Sequence, residues 1–194
     1  MSKFRNLGIK MVGLAVLLFV SFSQVQAQEL GLVNKESSLK VYGTSSLHDW
    51  HIDAENQTGK LKFEDKASCT IAGLNISVVS ESLKSGKSAM DKNTYKALNT
   101  SKYKSITFKL TEVKNVTDKG SGVFEVKAQG DLSIAGVTKN LPMTLKVTVT
   151  DSKVTLDGEK AFKMTDFKID PPTALFGTIT TGNDVTVKFS SVFK

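Results

Sequence analysis

Both histidines of the chain lie in one short stretch, and it is there that side-chain chemistry has to be sought. His48 and Asp49 are adjacent, Ser45 and Ser46 precede them, and His51, Asp53 and Glu55 follow. A serine nucleophile needs a base within hydrogen-bond reach, but this stretch reads as an extended strand, on which neighbouring side chains point to opposite faces. His48 and Asp49 therefore diverge and form no relay. The chain has no G-x-S-x-G, no phosphate-cradling P-loop and no G-x-G-x-x-G. No catalytic residue is assigned, and an enzyme is not expected.

Metal binding is the other chemistry open to this stretch. Asp49, His51, Asp53 and Glu55 share one strand face, with about 7 Å between successive members. That is too far for neighbours to close a tetrahedral site unaided. A solvated polar face is the simpler account; a metal-dependent enzyme at the Asp49/His51/Asp53 face stays as an alternative. His48 falls on the other face with Trp50, as a core or rim histidine would. Cys69 is the only cysteine, which excludes an internal disulfide and a cysteine-rich metal site. Its expected role is that of a small buried hydrophobe. No cofactor is expected.

Charge narrows the partners. Lys3, Arg5 and Lys10 precede the apolar run Met11 to Val20, and Val25-Gln26-Ala27 supplies a small-residue cleavage site. This is the pattern of a signal peptide, residues 1–27, and its apolar core is about half the roughly 20 residues a spanning helix needs. The expected product is one exported domain, residues 28–194, periplasmic or secreted. Its 23 basic residues, what remains of 26 without the three above, face 19 acids. All 23 are lysines, because Arg5 is the only arginine. Bidentate recognition of phosphate or guanine is thus missing, and the lysines are spread singly along strands, so nucleic acid is not an expected partner. A transient contact with an anionic membrane surface is compatible with this charge.

The elements that must carry these residues are strands. In Gly130 to Val149 every second residue is apolar (Leu132, Ile134, then Leu141, Met143, Leu145, Val147 and Val149), which predicts two strands joined by a turn around Gly136. Leu39 and Val41 open a first strand. The face of His48, Trp50, Ile52 and Ala54 continues past Gly59 to Leu61 and Phe63, which predicts a second strand that is long or bent at the glycine. A third strand runs from Ala67 to Ser80 with a bulge at Ala72-Gly73, where the phase shifts. Ile106, Phe108 and Leu110 mark the next strand, and Phe124, Val126, Ala128 and Gly130 the one after. Val154 and Leu156 lead to Asp157-Gly158, a hairpin signal. Phe162 and Met164 begin a strand that shifts phase at Thr165-Asp166 and ends at Pro172. A loop from Thr173 to Asn183 then precedes a last strand with Val185, Val187 and Phe189.

The one helix has Ser88 as N-cap with Asp91 three residues on. Met90, Thr94, Ala97 and Leu98 lie on one side and Lys92 and Lys96 opposite. It ends near Asn99 and is expected to lie across the sheet or close a barrel end. Eight or nine short strands with no βαβ unit predict an all-β sandwich or antiparallel barrel.

An eight-stranded barrel is either filled by its own side chains or holds one small ligand. Ala54, Ala128 and Gly130 stand where larger apolar residues are usual, while Trp50, Phe63, Phe108 and Phe124 supply an apolar lining. Periodicity alone leaves both possibilities open.

Four segments in order resemble the YceI-like family. They are Leu39 through Val41-Tyr42-Gly43-Thr44-Ser45-Ser46-Leu47-His48-Asp49-Trp50; Met90-Asp91 through Ala97-Leu98 with Tyr103-Lys104-Ser105-Ile106-Thr107-Phe108; Gly130-Asp131-Leu132-Ser133-Ile134-Ala135-Gly136-Val137-Thr138-Lys139; and Thr165-Asp166-Phe167-Lys168-Ile169 leading to Asn183-Asp184-Val185. The resemblance implies a single extended eight-stranded antiparallel lipocalin-like barrel with one short helix. It implies export to the periplasm and a tunnel holding an isoprenoid lipid or quinone tail. The tunnel residues expected on this basis are Trp50, Ile52, Phe63, Ile76, Val78, Phe108, Leu110, Phe124, Val126, Ala128, Gly130, Leu132, Met143 and Leu145. Three positions depart from the family pattern: Ala135 stands for His, Lys168 for Gly in D-F-G-I, and Asn140 for Pro. No head-group residues are carried over. The alternative is a filled barrel acting as an interaction or stress-response module without ligand.

Overall fold

The computed structural model describes residues 28–194, so the expected signal segment, residues 1–27, lies outside the described residues. Among the described residues there are twelve strands: β1 (Gln28–Gly31), β2 (Ser38–Ser45), β3 (Trp50–Ala54), β4 (Gln57–Asp65), β5 (Thr70–Val79), β6 (Leu83–Lys84), β7 (Ser105–Gly120), β8 (Val123–Ile134), β9 (Val137–Val149), β10 (Val154–Lys163), β11 (Thr173–Ala174) and β12 (Ile179–Phe193). The helix α1 spans Ser88–Leu98. All ladders are antiparallel, and the sheet order is β1-β4-β5-β7-β8-β9-β10-β12-β2-β3-β6, with β11 attached to β12.

This corrects the expected eight-stranded closed barrel: the sheet is an open half-barrel of twelve strands, whose end members β1 and β6 do not pair. The physical cause lies in the second expected strand. It breaks at Glu55-Asn56, so that β3 pairs with β2 and β6 while β4 pairs with β1 and β5. Asn34 fixes the break, donating from Nδ2 to Glu55 O and accepting from Gln57 N. At the β1 side the isolated bridge Leu32–Phe193 ties the segment after β1 to the end of β12.

Local chemistry sets the other boundaries. Ala135 and Gly136, at φ 48° and 80°, turn β8 into β9. Ala72 is the extra residue of the bulge, since Lys62 faces Gly73 while Phe63 faces Ile71. Asp157-Gly158 is no hairpin: both residues lie inside β10, opposite Lys146 and Leu145 on one side and Ser190 and Phe189 on the other. The glycine is there for packing, because a Cβ on Gly158 would come 2.7 Å from the Phe189 ring. Thr165-Asp166 belongs to a single 3-10 turn, Met164–Phe167, and the last strand starts at Ile179, inside the expected loop. Ser88 is the first helical residue and not the cap, which is Lys87; Asp91 instead accepts from the Ser85 N–H and hydroxyl. The helix does end at Asn99, at φ 50°.

One ladder stops early. β9 and β10 pair only from Val149–Val154 to Leu145–Gly158, although β9 remains on β8 as far as Val137 and β10 on β12 as far as Lys163. Pro142 has no N–H to offer a ladder here. Lys160 Nζ crosses the split to donate to Pro142 O at 2.7 Å.

The interior is divided along its length. Toward β1 and the far ends of β8 to β10, Leu61, Phe63, Cys69, Val126, Val147, Leu156 and Phe193 form a fully packed cluster. Toward α1 two smaller clusters, around Ile52 and Leu83 and around Ile134 and Phe167, stand apart, and α1 joins them through Leu98.

Candidate functional site

Between those clusters lies an apolar cavity of about 440 Å³, within the size range of small-molecule sites. Its walls are the inward faces of β2 (Leu39, Val41), β5 (Leu74, Ile76, Val78), β9 (Leu141, Met143, Leu145) and β12 (Val185, Val187, Phe189, Ser191). Alternation places these side chains, since residues two apart share a strand face. α1 forms the cover. Met90, Thr94, Ala97 and Leu98 line the cavity, while Lys92 and Lys96 are exposed. The cover is fastened by polar bonds at its edge: Tyr95 OH donates to Leu83 O, and Lys84 Nζ reaches Tyr95 OH at 2.6 Å.

Of the expected tunnel residues, Trp50, Ile52, Ile76, Val78, Phe108, Leu132, Met143 and Leu145 line the cavity. Phe63, Leu110, Phe124, Val126, Ala128 and Gly130 do not. Phe63, Phe124, Val126 and Ala128 are buried in the packed cluster and Leu110 packs against it. A Cβ on Gly130 would fall 2.2 Å from the Phe108 ring, so this glycine's small size is already used. Trp50 fits the same way: it is cross-strand from Gly43, where a Cβ would meet the indole at 2.2 Å, and its Nε1 donates to Thr44 O. The lining from β2, α1 and β12 was absent from the expected site. Its signals were the same-phase run Val185, Val187, Phe189 and the apolar stripe of the helix.

His48 is exposed at the rim, with Nδ1 2.7 Å from Asp49 O. Asp53 is paired with Lys40 at 2.8 Å, and His51 Nε2 lies 3.8 Å from it. Asp49, His51, Asp53 and Glu55 form no metal-ligating group among the described residues. Cys69 is buried, and burial pushes its thiol up to about 11.

Beside His48 the rim carries apolar residues. Leu47, Ala174 and Ile179 line the mouth, and between the last two the turn Leu175–Gly177 projects, with Leu175 exposed and Phe176 fully so. The two rim loops are joined, as Ser46 N donates to Thr180 O and Thr180 N to Ser46 Oγ.

The model of the YceI-like domain family matches residues 26–193. No curated protein matches the sequence. Among solved structures the chain is similar to BcnA of Burkholderia cenocepacia, at 17% identity and TM-score 0.67, over 83% of this chain and 98% of that one. It is similar to a polyisoprenoid binding domain from Saccharophagus degradans implicated in plant cell wall breakdown, at 13% identity and TM-score 0.69, covering 87% and 99%. A YceI protein of Campylobacter jejuni matches at 15% identity and TM-score 0.57, covering 100% and 99%. At these identities the structures support the fold.

Proposed function

Because the chain belongs to the YceI-like domain family, we propose that it is an exported, non-enzymatic carrier that holds the isoprenoid tail of a lipid or quinone in the cavity under α1. The observation that carries this is the apolar cavity itself, walled by aliphatic and aromatic side chains and covered by a helix. Apolar contact supplies binding on this scale: about 20 enclosed carbons at roughly −0.3 kcal/mol per atom reach about −6 kcal/mol, in the micromolar range. The similar polyisoprenoid binding domain supports the choice of ligand class. The basic, then apolar, start of the sequence supports export, with cleavage after Ala27.

The exposed Leu47, Leu175 and Phe176 at the mouth suit transient contact with a lipid surface, from which an apolar tail passes into the cavity without crossing water. Mass spectrometry of protein made in a Gram-negative host tests the whole reading. The intact chain should begin at Gln28, and an organic extract of it should contain an isoprenoid. A mature chain that carries no apolar molecule and takes none up would favour the filled, ligand-free module instead.

A further inference from the structure

Between β9 and β10 the wall of the cavity loses its ladder. Beyond Leu145–Gly158 the two strands no longer pair, yet both keep lining the interior, β9 through Leu141 and Met143 and β10 through Lys160 and Phe162. Lys160 bridges the split, with Nζ donating to Pro142 O at 2.7 Å. Its position is an inward one, in phase with Phe162 and opposite Val187 of the apolar wall. The acids of the same strand, Asp157 and Glu159, are on its other face, and Glu159 is paired with Lys188 at 3.4 Å. Among the described residues Lys160 has no ion-pair partner. The ionisable side chains that line the cavity are His48, Lys87 and Lys160, and no carboxylate lines it. An ammonium carries three N–H groups, and Pro142 O takes one of those of Lys160.

We propose that the split is an oxyanion site in the cavity wall, where Lys160 holds the phosphate of an isoprenoid phosphate whose tail lies under α1. This rests on the carrier reading above and adds the class and the place of the head group. A phosphate drawn into the apolar interior would lose its water without compensation. At the split it meets a cation and keeps contact with solvent, since Pro142 is exposed and Lys160 only half-buried. A second N–H of Lys160 makes a charge-assisted bond to the phosphate while the bond to Pro142 O stays in place. The tail then lies along β12, whose eight-residue run from Val187 leads to Ile179 at the mouth. A neutral alcohol gains far less from the ammonium, so the site separates the two kinds of head group.

The test titrates the full mature chain with geranylgeranyl monophosphate and geranylgeraniol, which share one tail, and then adds excess inorganic phosphate to each complex. The monophosphate should bind about tenfold tighter than the alcohol, and inorganic phosphate should displace neither. Lys160→Met should remove the preference and leave the alcohol's affinity unchanged. Lys160→Gln, which keeps a donor for Pro142 O and removes only the charge, should do the same, whereas Lys87→Met should leave the preference intact. Equal binding of the two lipids, or a preference that survives both Lys160 substitutions, overturns the proposal. A preference lost in Lys87→Met instead would put the head group at the start of α1, and displacement by inorganic phosphate would make the split a site for the free anion; either result also overturns it. Absence of binding by both lipids would remove the carrier reading, and the proposal with it.

Discussion

Left-handed backbone at ordinary residues is concentrated where this chain turns sharply. Cys69, Ala135 and Lys168 have φ of 57°, 48° and 57°, a region that favours glycine because a Cβ crowds the carbonyl there. Lys168 therefore explains the Gly of the family pattern: the position is the αL cap of the Met164–Phe167 turn. The resemblance exposed that departure, yet no periodicity could, since backbone conformation at one residue leaves no mark on alternation. The divergence of His48 and Asp49 was legible, because it follows from strand geometry alone. Cys69 allows a direct check. With its thiol raised to about 11 by burial, the thiolate at pH 8 is on the order of one part in a thousand, and thiolate is the reactive form. A disulfide reagent at that pH should leave the native protein unmodified over minutes and label it fully in denaturant. Rapid labelling of native protein would contradict the burial that defines this end of the core.

Among the elements, those marked by local chemistry were readable and those set by distant partners were not. The turn at Gly136, the bulge at Ala72 and the inward stripe of α1 each follow from a few adjacent residues. Asp157-Gly158 carries the same local signature as a hairpin, but β9 and β12 flank it on both sides and keep it extended. The break at Glu55-Asn56 likewise depends on Asn34, more than twenty residues earlier in the chain. The rim turn Leu175–Gly177 sits in a stretch read only as loop. Its Leu175 and Phe176 adopt φ of 49° and 54° with their side chains in solvent, an arrangement with no packing to support it in the free protein. If the turn contacts lipid, replacing both by Ser should reduce co-flotation with anionic vesicles severalfold and leave thermal stability unchanged. Vesicle binding equal to that of the original chain would put the docking surface elsewhere.

Across the whole molecule, strand alternation distinguishes inward from outward but carries no information about height along the interior. Ala128 and Trp50 both point inward, yet one is enclosed in the packed cluster and the other lines the cavity. What decides is the size of the side chains arriving from the opposite wall, which depends on strand order and register. The same division yields a paired experiment. Ala128→Phe adds bulk where none fits and should cost about 1–3 kcal/mol in urea unfolding, while ligand affinity in the other half is retained. Thr94→Phe, from the inner face of α1, puts its ring into the cavity; stability should hold and affinity fall at least tenfold. Trp50, the only tryptophan, lines the cavity and reports both binding curves through its emission. The reverse pattern, with ligand lost in Ala128→Phe at unchanged stability and affinity intact in Thr94→Phe, would place the ligand among Phe124, Val126 and Ala128 and empty the cavity under α1 of its function.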